Sequence, residues 1–228
     1  MKFFLILLTI FISSCSRSWN YSSPQKWGDL KEEYKFCKIG YNQSPIDVKL
    51  DFQDSDLKFF YKKSSVEKEK KDFVMQINFY GKDFITRGKK KYLLERIYFH
   101  HPSEHLVKSD RHSLELQVLH KSEDEQYLIL GIFLEVGAKN LEFDRLIELL
   151  SSNKKESELD LSKIVKADDK TFFYDGSFTT PPCKEGVKWY IMKTPIQISK
   201  EQMNKIIKLG IFAKSNARPA QAFHPEKY

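Results

Sequence analysis

Hydrophobic and polar positions along the chain predict a protein built mainly from strands. Phe73, Met75, Ile77 and Phe79 recur at every second position, the period of a strand with one buried face. Residues 92–100 and 113–120 read as two further strands. Residues 127–136 contain Leu128-Ile129-Leu130-Gly131-Ile132-Phe133-Leu134, a continuous apolar run suited to a strand covered on both faces. Shorter strands are expected at 57–61 and 187–192. Gln43-Ser44-Pro45-Ile46-Asp47-Val48 reads as a turn entering a strand, and 80–91, with Gly81 and Gly88, suits a hairpin. Residues 172–174 lead into a loop rich in turn formers, 175–183. Helical spacing is clearest at Leu141, Phe143, Leu146, Ile147, Leu149 and Leu150, and Ser199 is placed to cap a helix running to about Leu209. One or two helical turns are expected over 29–34. The polar stretches 64–71 and 151–158 read as loops. Many short strands, few helices and no internal repeat predict one mainly β domain.

Composition supports a packed body. The 228 residues are 41 % hydrophobic and include eighteen Phe and eleven Tyr, which excludes a disordered chain. The formal net charge of +7 comes largely from lysine, as in Lys68-Glu69-Lys70-Lys71 and Lys89-Lys90-Lys91. Such runs are ordinarily solvated, and their surplus suits a polyanionic or glycan partner. No basic helix interleaved with aromatics points to nucleic acid. The N-terminus has a different character. Met1-Lys2, an apolar run over 3–12 and Ser13-Ser14-Cys15 describe a secretory signal peptide, too short to span a bilayer comfortably. Ile12-Ser13-Ser14-Cys15 resembles a bacterial lipobox, which implies lipidation of Cys15. The expected division is a signal peptide at 1–14, a tether at 15–23 and a domain at 24–228. The expected location is outside the cytoplasm, periplasmic or at the cell surface, anchored to a membrane through the lipid. Cys37 and Cys183 then remain, and an oxidising compartment allows them to pair.

The candidate chemistry lies in the strand at 92–100 and its sequel. His100, His101 and His105 cluster there, and His120 ends the next strand. The words Trp27-Gly28-Asp29-Leu30, Gln43-Ser44-Pro45-Ile46-Asp47, Phe99-His100, Pro102-Ser103-Glu104-His105, Leu130-Gly131-Ile132-Phe133, Gly176-Ser177-Phe178-Thr179-Thr180-Pro181-Pro182-Cys183 and Asn216-Ala217-Arg218-Pro219 occur in this order. Together with Cys37 and Glu115 they make the chain resemble the alpha-class carbonic anhydrases from Trp19 to Gln221. The resemblance implies a central, mostly antiparallel, twisted ten-stranded sheet with short peripheral helices. It also implies a Cys37–Cys183 disulfide.

Members of that class hold zinc with three histidines, two at alternate positions of one strand and one on the next. The ion lowers the pKa of its bound water to about 7. Anchored on Pro102-Ser103-Glu104-His105 and on Glu115, the three ligand positions fall on Tyr98, His100 and Gln117. Only His100 keeps the ligand type. A phenol must lose a proton of pKa about 10 to bind well, and an amide oxygen is a poor zinc donor. No tightly bound cofactor is therefore expected. His101 and His120 lie out of phase with the site, and His105 and His112 fall outside it. Tyr98 is expected to fill the emptied cone, its hydroxyl bonded to Gln117 or His100. Phe73 stands at the proton-shuttle position and Arg96 replaces a glutamine that orients the first ligand. The resemblance also assigns Thr179 and Glu104 as a retained gate pair, left idle, and Glu115 as the support of a third histidine now missing. It places Leu119, Ile129, Phe178 and Thr180 in the substrate pocket. These substitutions favour a binding protein of this type that does not hydrate carbon dioxide. The alternative is an active zinc carbonic anhydrase, a lyase, with rearranged ligands.

Overall fold

A computed structural model describes residues 18–71, 74–167, 169–209 and 215–224. The strands are β1 (Asp47–Val48), β2 (Gln53–Asp54), β3 (Leu57–Phe60), β4 (Lys63–Lys71), β5 (Val74–Phe79), β6 (Phe84–Arg87), β7 (Lys90–His100), β8 (Leu106–Val107), β9 (Asp110–Arg111), β10 (Leu114–Lys121), β11 (Tyr127–Val136), β12 (Glu156–Asp160), β13 (Lys170–Ser177), β14 (Glu185–Met192) and β15 (Ile196–Ile198). The helices are α1 (Phe36–Ile39), α2 (Leu141–Ser151) and α3 (Lys200–Lys208), joined by short 3-10 turns. β12-β4-β5-β7-β10-β11-β14-β13-β2 form the path of a twelve-stranded sheet, with β3, β6 and β15 at its margins. Expectation and structure thus agree on a large twisted sheet, with two more strands than the ten expected. Most pairings are antiparallel, while β11 runs parallel to β14 and β15.

The strand alternation is legible at the centre of the sheet. On β10, Leu114, Leu116 and Val118 enter the larger apolar core, while Glu115, Gln117 and Leu119 face the other side. On β7 the apolar parity changes partway: Tyr92 and Leu94 belong to that core, then Ile97 and Phe99. The cause is a bulge. Leu119 pairs with Arg96 and His120 with Leu94, so Glu95 is an extra residue. The bulge turns Arg96, Tyr98 and His100 to the face shared with Gln117.

Two expected loops are strands. Residues 63–71 form β4 because Ser64 and Val66 are buried on one face, which is enough to pair with β5 and β12. One apolar residue among charges gave little periodic signal. Lys68 is bound at the end of α2, its ammonium donating to the Leu149 carbonyl at 2.8 Å. The polar stretch at 151–158 runs into β12, anchored by the fully buried Leu159. Both predicted helices form. Asn140 caps α2, accepting from the Glu142 amide at 2.9 Å, and Ser199 and Gln202 make a reciprocal capping box on α3.

The N-terminal aromatics close one edge of the fold. Trp19, Tyr21 and Trp27 meet edge to face, with centroids 5.3–5.6 Å apart, next to Cys37 and Cys183. Trp19 is buried, so the packed body begins within the expected tether. The Cys37–Cys183 bond is present and spans 146 residues. Closing a loop of that length stabilises by about 5 kcal/mol in the chain-entropy account. Cys15, the apolar leader and Phe73 lie outside the described residues.

Candidate functional site

Gln117 stands opposite Tyr98, and Glu115 opposite His100, on the β7–β10 ladder. His100, Glu104, Glu115 and Gln117 are fully buried. Glu115 is the most heavily bonded group among them. One oxygen accepts from the backbone amides of Glu104 and His105, both at 2.9 Å. The other accepts from the His105 ring at 2.8 Å and from the Gln117 amide at 3.0 Å. Burial alone would raise its pKa. The charge and hydrogen bonds of His105, with a smaller effect of His100, reverse that and hold the carboxyl at about 2. A Cβ on Gly131 would lie 3.1 Å from this carboxylate and 2.8 Å from Ile191, so glycine leaves room for the network.

The Gln117 nitrogen also donates to Glu104, at 2.9 Å. Both amide hydrogens are thereby spent on carboxylates. The opposite amide orientation would set oxygen against oxygen, so the network fixes this one. The Gln117 oxygen is buried, with no hydrogen-bond partner among the described residues. His100 reaches a similar state by another route. Its Nδ1–H donates to the Asn216 carbonyl at 2.6 Å, leaving Nε2 buried, without a hydrogen bond and 3.4 Å from Glu104.

The tail secures this arrangement. Asn216 donates to the Phe99 carbonyl at 2.9 Å and accepts from the His101 amide at 2.8 Å. The Arg218 backbone amide donates to Glu104 at 2.9 Å. Its guanidinium donates to Gln43 at 3.0 Å, to the Ser44 carbonyl at 2.6 Å and to the Cys37 carbonyl at 2.8 Å. Burial lowers the Arg218 pKa to about 10 despite Glu104 and Tyr174 nearby. Words far apart in the chain therefore meet at one place. Sequence reasoning quoted Asn216 and Arg218 only as matching words. Their fixed order with Gln43-Ser44 was the available signal.

One expectation about a side chain needs correction. The Tyr98 hydroxyl bonds neither Gln117 nor His100. The residue is half-buried and packs its ring against His100 edge to face, with centroids 5.7 Å apart. Glu115 and Glu104 accept from the Gln117 amide, and Glu104 also from the Arg218 backbone amide. Thr179 is buried, with no hydrogen bond to Glu104 among the described residues. Arg96, which stands where a glutamine would orient the first ligand, turns to other partners. It donates to Glu95 at 3.1 Å and reaches Gln76 at 3.4 Å.

The remaining positions sort by face. Leu119 and Ile129 are buried in the apolar cluster beside the site, with Tyr98 and Phe178 packed on it, and Thr180 is half-buried in the loop that follows. His120 projects to the other side, where its Nε2 meets the Tyr61 hydroxyl at 2.7 Å. His101 bonds the Ser113 carbonyl at 2.8 Å, and His112 stacks on Phe133 with centroids 4.2 Å apart.

The family model for eukaryotic-type carbonic anhydrase matches residues 22–225. The chain belongs to the carbonic anhydrase family. A carbonic anhydrase of Nostoc is 31 % identical over 220 residues, covering 90 % of this chain and 82 % of its own. The solved alpha-carbonic anhydrase of Thermovibrio ammonificans, in complex with sulfanilamide, superposes with a TM-score of 0.80 at 32 % identity. That match covers 90 % of this chain and 95 % of the other. Dioscorin, solved in complex with ascorbate, superposes with a TM-score of 0.77 at 30 % identity, over 87 % of this chain and 89 % of its own.

Carbonic anhydrases of this type carry zinc, and the donors here do not fit it. They are one imidazole nitrogen, one amide oxygen and a phenol. Burial first, and then the Glu104 charge, push the Tyr98 pKa above its ordinary value, opposite to what a phenolate ligand requires. Among the described residues no group of three or more His, Cys, Asp or Glu is placed to hold a metal.

Proposed function

We propose that this protein is a carbonic anhydrase homologue that binds rather than hydrates, exported and held at a membrane through lipid on Cys15. The observation that carries this reading is the Gln117 amide. At the third ligand position, it spends both hydrogens on Glu104 and Glu115 at 2.9 and 3.0 Å. A zinc-bound hydroxide needs a metal held by strong neutral donors and a gate residue free to orient it. Of the three ligand positions only His100 carries an imidazole, and Glu104 is engaged by Gln117 and Arg218. A family member crystallised with ascorbate supports a binding role for the scaffold. The surplus of lysine suits a polyanionic partner such as an acidic glycan at the outer surface.

The test is metal content and carbon dioxide hydration of the purified protein beside the double variant Tyr98→His, Gln117→His. The wild type is expected to hold far less than one equivalent of zinc and to show background turnover. The double variant is expected to gain zinc. One equivalent of zinc in the wild type, with inhibitor-sensitive turnover, would establish the second reading, an active carbonic anhydrase with rearranged ligands. The bare acceptors His100 Nε2 and Gln117 Oε1 and the activity named for the relatives favour that alternative.

A further inference from the structure

Two fully buried acceptors, the imidazole Nε2 of His100 and the amide oxygen of Gln117, have no hydrogen-bond partner among the described residues. They belong to one place, since the His100 nitrogen lies 3.4 Å from the Glu104 oxygen that accepts from the Gln117 amide at 2.9 Å. Their orientations are set from behind, by the Asn216 carbonyl and by the two carboxylates. Buried acceptors left bare are costly, and a ligand that donates to both removes the cost.

The charge of the surroundings narrows the ligand further. The Glu104 carboxylate lies 3.4 Å from His100 Nε2 and, with Glu115, holds the Gln117 amide, so the two acceptors sit beside carboxylates. The Tyr98 ring beside His100 adds an aromatic surface of the kind that attracts cations. Without a metal, the site presents acceptors and negative charge.

We propose that the site at His100, Gln117 and Tyr98 binds a small cation bearing N–H donors, ammonium or a primary alkylammonium group, and rejects anions. The inference rests on the metal-free reading above. An ammonium nitrogen donates to His100 Nε2 and Gln117 Oε1 and keeps a further hydrogen for Glu104 or an alkyl substituent directed outward. Bicarbonate brings one O–H donor to two acceptors and sets its negative charge beside the Glu104 carboxylate, so its binding is disfavoured. The ligand preference of the site would then be opposite in charge to that of a zinc-hydroxide centre.

The experiment uses the full purified chain after its metal content has been measured. Ammonium, methylammonium and tetramethylammonium chlorides are titrated at constant ionic strength, with sodium bicarbonate as the anion. The readouts are thermal stability and broadening of the 15N-ammonium resonance. Saturable stabilisation by ammonium and methylammonium is expected, at concentrations at least tenfold below any effect of tetramethylammonium, which has no N–H. Bicarbonate is expected to give none. Gln117→Met, if folded, should weaken the ammonium response at least tenfold. If it does not fold, the comparison of the three cations on the wild type decides alone. In metal-free protein, equal responses to all cations, no response, or tighter binding of bicarbonate would overturn the inference while sparing the metal-free reading. One equivalent of zinc overturns both.

Discussion

The β7–β10 ladder has two faces that differ in what they require. One carries Ile97, Phe99, Leu116 and Val118, all buried in the larger apolar core. The other carries Tyr98, His100, Glu115 and Gln117, a polar network closed by residues from the tail. The apolar face specifies the fold through area and shape, and many side chains could serve there. The polar face depends on particular atoms, because each buried donor needs its acceptor. Loss of two histidines can leave the first face untouched and still redirect the second. The homologous fold and the unsuitable zinc donors are therefore compatible.

The largest expected effect strikes the polar face. Glu115→Leu strands four donors, the amides of Glu104 and His105, the His105 ring and the Gln117 amide. At about 1–3 kcal/mol for each stranded group, the loss exceeds about 4 kcal/mol and leaves little folded protein at neutral pH. Chemical denaturation measures it. Stability near wild type would mean that the network is not what holds this face. On the apolar face, Phe99→Ala opens a cavity and is expected to cost about 3–5 kcal/mol, with no change in metal or ligand binding. A change in binding would show the two faces to be coupled.

Acid should separate the faces by pH. Burial depresses the His120 pKa from 6.5 to about 3, against weaker support from the Leu128 and Val118 backbone. The unfolded chain therefore takes up that proton first, and stability that is full above about 6.5 declines as the pH falls towards 3. Glu115, lowered from 4.5 to about 2, contributes stability that is present above about 4.5 and lost as the pH falls through 2. That second loss is on the order of 3 kcal/mol. The stability–pH curve should thus bend twice. His120→Phe should remove the upper bend and Glu115→Gln the lower, each followed by urea unfolding at fixed pH. A single bend below pH 4.5 in the wild type would rule out a buried neutral His120.

Most of the apolar face was legible in the sequence, because period-two alternation and the continuous run in β11 follow directly from strand geometry. The bulge at Glu95 was written there too, as the change of apolar parity from Tyr92 and Leu94 to Ile97 and Phe99. β4 was hidden, since Val66 is its one buried apolar side chain and neighbouring strands supply the rest of its stability. For the polar face, the resemblance singled out Tyr98, His100 and Gln117, and the β7–β10 register sets them on one side. It could not say which end of the Gln117 amide points inward. That depends on Glu104 and Glu115, thirteen and two residues away in sequence, and on the Arg218 amide that holds Glu104 from the tail.

The smallest expected effect tests whether every polar group on that face belongs to the network. The Tyr98 hydroxyl bonds neither Gln117 nor His100, and its ring, not its oxygen, is the part that packs. Removing a hydroxyl without a protein partner strands nothing, so Tyr98→Phe should change stability by less than about 0.5 kcal/mol. The variant keeps the ring against His100, so the apolar cluster that includes Leu119 and Phe178 is preserved. Tyr98→Ala, by contrast, removes the ring and should cost about 2 kcal/mol or more, tempered by the residue's partial exposure. Urea unfolding of the pair measures the difference. A loss above about 1.5 kcal/mol in Tyr98→Phe alone would assign the hydroxyl a buried partner, and the network would then extend one residue further along β7 than its hydrogen bonds show.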